Sequence, residues 1–183
     1  EIFYTALYHS LFMPVVLSDA DAPRDQYSPL YPWDTYRSEH PLITILDPKR
    51  EGDMIHSVLE RYDRTGWLPT GNMMGNHNTQ LILDGYVKGV TNFDVNKAAA
   101  AMCKSLVDSP YARRQMADFV RYGFVPPNIT SSMNHCLKFD YDSWAAARFL
   151  GKTGNQINYP HGYRALSRLA LDFINSYNPF SCF

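Results

Sequence analysis

The sequence predicts an all-α fold built of helical hairpins. Apolar residues recur three and four positions apart in segment after segment. Helix start signals such as Asp47-Pro48 and Asp94, and stop signals such as Gly66 and Gly89, punctuate those segments at short intervals. No stretch alternates polar and apolar residues over the length of a strand, and the β-prone run 42–46 sits between helix signals. The pattern gives roughly seven or eight helices with short connections, as in a bundle, a solenoid or an α/α toroid.

Taken in order, residues 2–13 place Ile2, Phe3, Ala6, Leu7, Leu11 and Phe12 on a helical stripe that Pro14 ends. Residues 18–32 are rich in Asp, Pro and Tyr and aperiodic, the marks of a long surface loop, and such loops commonly bind ligands. Asp47 as N-cap and Pro48 in the first turn open a helix over 48–64, with Met54, Ile55, Val58, Leu59 and Tyr62 on one face. Gly66-Trp67-Leu68-Pro69 breaks it, and residues 70–78 form a polar, Gly-rich loop. A helix over 78–88 carries Leu81, Ile82, Tyr86 and Val87 and stops at Gly89. Asp94 caps a helix through 98–101 to Val107, and Pro110 opens another to Tyr122. Ser131 or Ser132 starts a helix that ends at Gly151, and a last helix spans 160–176. No repeat, heptad run or low-complexity tract interrupts the order, so residues 1–183 read as a single all-α domain.

Composition narrows the partners. A chain of 183 residues can bury a substantial core, roughly 70% of its unfolded surface. Its 17 Lys and Arg against 18 Asp and Glu give a net charge of −1, with no basic footprint for nucleic acid or an anionic membrane. No apolar run reaches the ~18 residues of a membrane span. Aromatic residues make up 14% of the chain, enough flat faces to line a groove as well as fill a core. Three cysteines, Cys103, Cys136 and Cys182, form at most one pair and read as small hydrophobes. Asn128-Ile129-Thr130 is a glycosylation sequon, which points towards a secretory route.

Three polar clusters are candidates for chemistry. Trp33, Asp34, Tyr36, Arg37, Glu39 and His40 crowd into eight residues after the long loop. An aromatic face beside carboxylate and guanidinium groups suits a sugar, whose C–H patches lie on the ring while its hydroxyls bond fixed polar partners. The alternative is a helix N-terminus with acids near its positive end and a structural Trp. Gly75, Asn76, His77 and Asn78 at a helix start suit hydroxyl or oxyanion binding, or are ordinary N-caps. Asp140, Tyr141, Asp142 and Trp144 form the third cluster. Its two carboxylates are too close along a helix to share a face, and a solvated helix face is the default. No zinc-binding His-Glu-x-x-His, Cys-x-x-Cys, nucleophile elbow or phosphate loop is present.

A series of short motifs resembles glycoside hydrolase family 92, calcium-dependent exo-acting α-mannosidases that invert configuration. Phe3-Tyr4-Thr5-Ala6-Leu7-Tyr8-His9-Ser10, Ser18-Asp19-Ala20-Asp21 and Trp33-Asp34-Thr35-Tyr36-Arg37 with His40-Pro41-Leu42 come first. Gly66-Trp67-Leu68-Pro69, Met74-Gly75-Asn76-His77, Asp84-Gly85-Tyr86-Val87-Lys88-Gly89 and Tyr122-Gly123-Phe124-Val125-Pro126 follow in order. Residues 137–144 then stand where the family tends to read Leu-Glu-Tyr-Ala-Tyr-Asp-Asp-Trp. The resemblance implies helical hairpins forming part of an (α/α)6 toroid, of which this chain holds the N-terminal part of the catalytic domain. It implies a mannose-containing glycan as substrate, and calcium, a hard cation held by oxygen ligands, whose ligands it does not assign. It places Trp33, Asp34, Arg37, His77 and Trp67 at the substrate, with Asp34 accepting from mannose hydroxyls and Asp19 and Asp21 in an acidic loop beside the site.

The departures from the family pattern shape the expected activity. The family's general-acid Glu lies in a loop between Trp-Leu-Pro and the Met-x-Gly-Asn-His motif, an interval reduced here to Thr70-Gly71-Asn72-Met73. Lys138 reverses a charge where the family tends to have Glu. The general base lies in an acidic motif nearer the family's C-terminal end, beyond Phe183. The catalytic residues are therefore unassigned, and this chain alone is expected to be inactive. The expected lineage is secreted, periplasmic or secretory, with self-association through exposed helix faces. The alternative functions are a non-catalytic carbohydrate-binding remnant and a plain helical scaffold.

Overall fold

The computed structural model describes residues 1–71, 73–108 and 114–176. Within them the chain is helical almost throughout: α1 (Ile2–Ser10), α2 (Glu39–Leu46), α3 (Pro48–Thr65), α4 (Asn78–Val87), α5 (Val95–Cys103), α6 (Arg114–Tyr122), α7 (Ser132–Thr153) and α8 (Pro160–Leu169). A π-helical turn, Lys104–Asp108, extends α5, and a 3-10 segment, Asp172–Ser176, follows α8. Among the described residues no helix is long and apolar enough to cross a membrane. Pro110, expected to open α6, and Cys182 lie outside the described residues.

Local chemistry sets the best-defined boundaries. The Asp47 carboxylate accepts from the Arg50 N–H at 3.0 Å, and Pro48 supplies a first turn that needs no donor, so α3 starts as predicted. Asp94 does the same for α5 through the Lys97 N–H at 2.9 Å. Left-handed glycines close α3 at Gly66 (φ 85°) and α7 at Gly154 (φ 76°). The stop at Gly154, three residues beyond the expected Gly151, and the break of the last helix after Leu169 are corrections to the sequence reading.

Two further features are tertiary in origin. The β-prone run 42–46 is helical because α2 seats Ile43 and His40 against α3, where His40 Nδ1 meets both Glu51 carboxylate oxygens at 3.0–3.1 Å. The loop over 18–32 is not wholly irregular. A short antiparallel pair, β1 (Val15–Val16) and β2 (Tyr27–Ser28), closes it in the register Val15 to Ser28 and Val16 to Tyr27. The Tyr27 N–H donates to the Ser57 hydroxyl of α3 at 3.0 Å, which ties the loop to the helices.

The core lies between α3, α4, α5, α6, α7 and α8. Phe119, Phe139, Phe149, Leu150, Met102 and Ile82 are among its largest fully buried members. Phe149 of α7 meets Tyr86 of α4 edge to face at 5.4 Å, and Cys103 and Cys136 serve as small buried packing residues. By contrast α1 buries none of its residues, and Ile2, Phe3 and Tyr8 are 88%, 70% and 63% exposed. Its apolar residues are present as the spacing predicts, but only Leu7 among them is half-buried, and Phe12 packs back on Tyr8 at 4.7 Å.

Candidate functional site

α7 and the loop before α4 build the centre of the site. The Asp142 carboxylate, fully buried on α7, accepts from the Asn76 N–H and from Gln80 Nε2, the latter at 2.9 Å. It thereby fixes the turn that carries His77. Gly75 (φ 79°) is required there, because a Cβ would stand 2.9 Å from Asp142 Oδ2 and 3.1 Å from Lys138 Cβ. Asn76 and Asn78 do not act as caps. Their amides donate to the carbonyls of Leu68 and Pro69 at 3.3 and 2.8 Å and clamp the preceding loop to the start of α4. Asp142 is thus a buried organiser rather than part of a solvated helix face, a correction to the sequence reading that also holds for the buried Asp140.

His77 is 3% exposed and carries the aromatic cluster. The Tyr36 ring stacks on it at 4.5 Å and 28°, and Trp33 leans on it at 5.1 Å and 35°. Its Nδ1 lies 3.4 Å from Asp142 Oδ1 without hydrogen-bond alignment, and neither ring nitrogen has a hydrogen-bond partner. Lys138 sets its ammonium over the Trp33 face at 4.9 Å, and Arg37 sets its guanidinium over Tyr36 at 5.2 Å while donating to the Tyr36 hydroxyl at 3.0 Å. The Lys138 ammonium therefore sits directly on the Trp33 indole.

Two hollows flank this cluster. A cleft of 20 Å³ lies between Trp33, His77, Met73, Met74 and the Pro69–Gly71 stretch. That volume admits one water-sized group, such as a hydroxyl, but not a sugar ring. An open groove of 820 Å³ begins at Tyr36 and Arg37 and runs between α4 and α7. The structure thus brings Trp33, Arg37 and His77 together through Tyr36. Asp34 stands exposed on the following turn and lines neither hollow, and Trp67, 37% exposed, lines neither.

Sequence reasoning missed the groove. Tyr141, Trp144, Arg148 and Lys152 fall at three- and four-residue intervals on α7 and share one face. That spacing was a readable signal for a lining stripe. Tyr141 and Trp144 stack at 5.7 Å and 15°, and burial pushes the Tyr141 hydroxyl pKa upward, with the Tyr36 hydroxyl adding to the effect. Among the described residues no three His, Cys, Asp or Glu side chains gather to hold a metal ion. Calcium takes six to eight oxygens, and no cluster of three carboxylates among the described residues offers the start of such a set.

The comparisons place the fold. A family 92 α-mannosidase of Bacteroides thetaiotaomicron, solved in complex with mannoimidazole, superposes with a TM-score of 0.87 at 25% identity, over 99% of this chain and 26% of that one. A family 92 inverting mannosidase of the same organism gives 0.84 at 26% identity, over 99% and 28%. The chain therefore spans only about a quarter of the length of these structures. No curated protein sequence shows significant similarity to it. The helical hairpins resemble part of an (α/α)6 toroid, as expected. The profile of the glycosyl hydrolase family 92 catalytic domain matches residues 1–183, and the chain belongs to that family.

Proposed function

We propose that this chain supplies a substrate-binding wall of an exo-acting α-mannosidase, which hydrolyses terminal α-linked mannose from glycans with inversion. The observation that carries the reading is the convergence of Trp33 and Tyr36 on the buried, hydrogen-bond-free His77 imidazole, with Arg37 at the rim. A mannose ring lays a C–H patch against the half-buried Trp33 and Tyr36 rings and passes one hydroxyl into the small cleft, towards the unpartnered His77 imidazole. Asp34, exposed beside Trp33 in the chain, accepts from neighbouring hydroxyls, and the part-exposed Trp67 offers a separate aromatic face to the glycan. Two similar structures are mannosidases, one of them holding mannoimidazole, which supports the sugar class.

Inversion needs an acid and a base about 6.5–9.5 Å apart, with water between them. The interval Thr70–Met73 holds no carboxylic acid, so the wall binds and orients without supplying the proton. Calcium, which the resemblance implies, would supply a positive charge that binds mannose hydroxyls, with its ligands unassigned in this chain. A secretory or extracellular setting fits the exposed Asn128 sequon. The test is calorimetry with mannose and a hydrolysis assay on α-mannobiose. Heat of binding that Trp33→Ala abolishes, with no mannose released, is expected. Mannose release, or binding unchanged by Trp33→Ala, overturns the reading.

A further inference from the structure

We propose that Glu51 is a positioning residue for sugar binding: through His40 it holds the strap that carries Trp33, Tyr36 and Arg37 where the His77 stack requires it. The proposal rests on the mannose reading above and adds the buried group that fixes the aromatic wall. Glu51 is 1% exposed and His40 4%. The His40 Nδ1 meets both Glu51 carboxylate oxygens, at 3.1 and 3.0 Å. An ionised carboxylate only accepts, so Nδ1 carries the hydrogen and the imidazole is held in one orientation. No Lys or Arg pairs with Glu51 among the described residues. Stability alone is a poor reason to keep such a group, because well-packed apolar residues of similar volume commonly serve as well as a buried ion pair.

The strap runs between two anchors. Upstream, Asn78 Nδ2 of α4 donates to the Leu30 carbonyl at 3.3 Å. Downstream, the contact of His40 with Glu51 ties the start of α2 to the first turn of α3. Between them the backbone turns on short local bonds. The Trp33 N–H donates to the Tyr31 carbonyl at 2.9 Å, the Tyr36 N–H to Pro32 at 3.1 Å and the His40 N–H to Thr35 at 3.1 Å. His40 therefore belongs to both networks: its backbone closes the turn that carries Tyr36, and its ring is fixed by Glu51. The ring also borders a hollow of only 10 Å³ with Pro32, Met54, Val58 and Leu81, which puts it beside the residue that precedes Trp33. Glu51 is in turn located by α4, since a Cβ on Gly85 would stand 3.9 Å from Glu51 Cγ. His77 immediately precedes α4, so both anchors refer the strap to the helix that presents the imidazole. A shift of the strap would slide the Tyr36 and Trp33 rings, now 4.5 and 5.1 Å from His77, across its face.

The test compares the full chain with Glu51→Gln, with Glu51→Asp and with the pair Glu51→Leu and His40→Leu. Gln keeps an oxygen that accepts from Nδ1, and Asp draws the carboxylate back by one methylene. The Leu pair removes donor and acceptor together, so no buried polar group is left unpaired and the fold is spared, as urea unfolding would check. Two quantities are read: mannose affinity by calorimetry, and the NMR shifts of the His77 ring protons without sugar, which the ring currents of the stacked Tyr36 and Trp33 displace. The Leu pair is expected to weaken mannose binding about tenfold, the equivalent of one charge-assisted hydrogen bond, and to move the His77 resonances towards those of an unstacked imidazole. Glu51→Asp should move both in the same direction by less, and Glu51→Gln should restore both. A folded Leu pair or Glu51→Asp variant with native affinity and native His77 shifts overturns the positioning role and leaves the mannose reading standing. Glu51→Gln as impaired as the Leu pair overturns the hydrogen-bond account. His77 shifts that move in the Leu pair while the native chain takes up no mannose support the positioning of the strap and overturn the mannose reading instead.

Discussion

Asp140→Asn should flatten the dependence of folding stability on pH. Asp140 sits on α7 at 6% exposure, and neither carboxylate oxygen has a hydrogen-bond partner. Burial, and to a lesser degree the negative charge of Asp172 in the 3-10 segment, push its pKa from 3.8 up to about 7. Asp172 is itself raised by burial, while Arg168 of α8 pulls it back down. Because the folded pKa is raised, the native state holds this proton more tightly than the unfolded chain. Below the unfolded value both states are protonated and the stabilising difference is fully present. Between pH 3.8 and about 7 the unfolded chain releases a proton that the fold retains, and stability falls as pH rises. A shift of about three pH units at 1.36 kcal/mol each puts the total near 4 kcal/mol, an upper bound. The amide cannot ionise in this range, so the variant's stability should change less with pH, by up to about 1.4 kcal/mol per unit. Any fixed cost of burying the amide offsets the curve without altering its slope. Urea unfolding followed by circular dichroism at steps from acid to mildly alkaline pH reads this directly. Parallel curves for the native chain and the variant would refute the account of Asp140.

The other expectations concern the turn before α4 and the open surface of α1. Gly75→Ala places a Cβ in left-handed backbone and within 2.9 Å of Asp142 Oδ2, and should lower unfolding free energy by about 2 kcal/mol. A variant as stable as the native chain in denaturant titration would show that the turn relaxes freely. The exposed side chains of α1 should drive self-association, so Ile2→Ser with Phe3→Ser is expected to shift light-scattering mass towards the monomer. A native chain that is monomeric at every concentration tested contradicts this.

What could be read from sequence was local chemistry. Asp47-Pro48, Asp94 and Gly66 set helix ends through contacts within a few residues, and these boundaries fall where expected. Tertiary contacts decided the rest. Ile43 and Thr44 favour strands in isolation, yet they are helical because His40 and Ile43 are seated against α3. Strands of two residues, as in β1 and β2, are too short to show a period. In the site, the aromatic and charged residue types near Trp33 announced themselves. The stack of Trp33 and Tyr36 on His77 joins segments some forty residues apart, which no periodicity reports. Asp140 and Asp142 look equivalent on paper. Burial separates them: one holds a loop through two donors, and the other has none.

α7 explains why these features belong together. Its Phe139, Phe149 and Leu150 anchor the core, Asp142 ties down the His77 turn, Lys138 covers Trp33, and Tyr141, Trp144, Arg148 and Lys152 line the groove. A helix fixed by its buried face holds its other faces at fixed angles, since packed cores resist small deformations. The indole, the imidazole and the groove cations are consequently held in one frame, and a ligand spanning cleft and groove meets a surface that needs little ordering before it binds. Loosening the core under α7, as Phe149→Ala would, should then weaken mannose binding in calorimetry although no residue of the site is changed. Unchanged mannose affinity in that variant, once shown to be folded, would mean that the helix does not organise the surface.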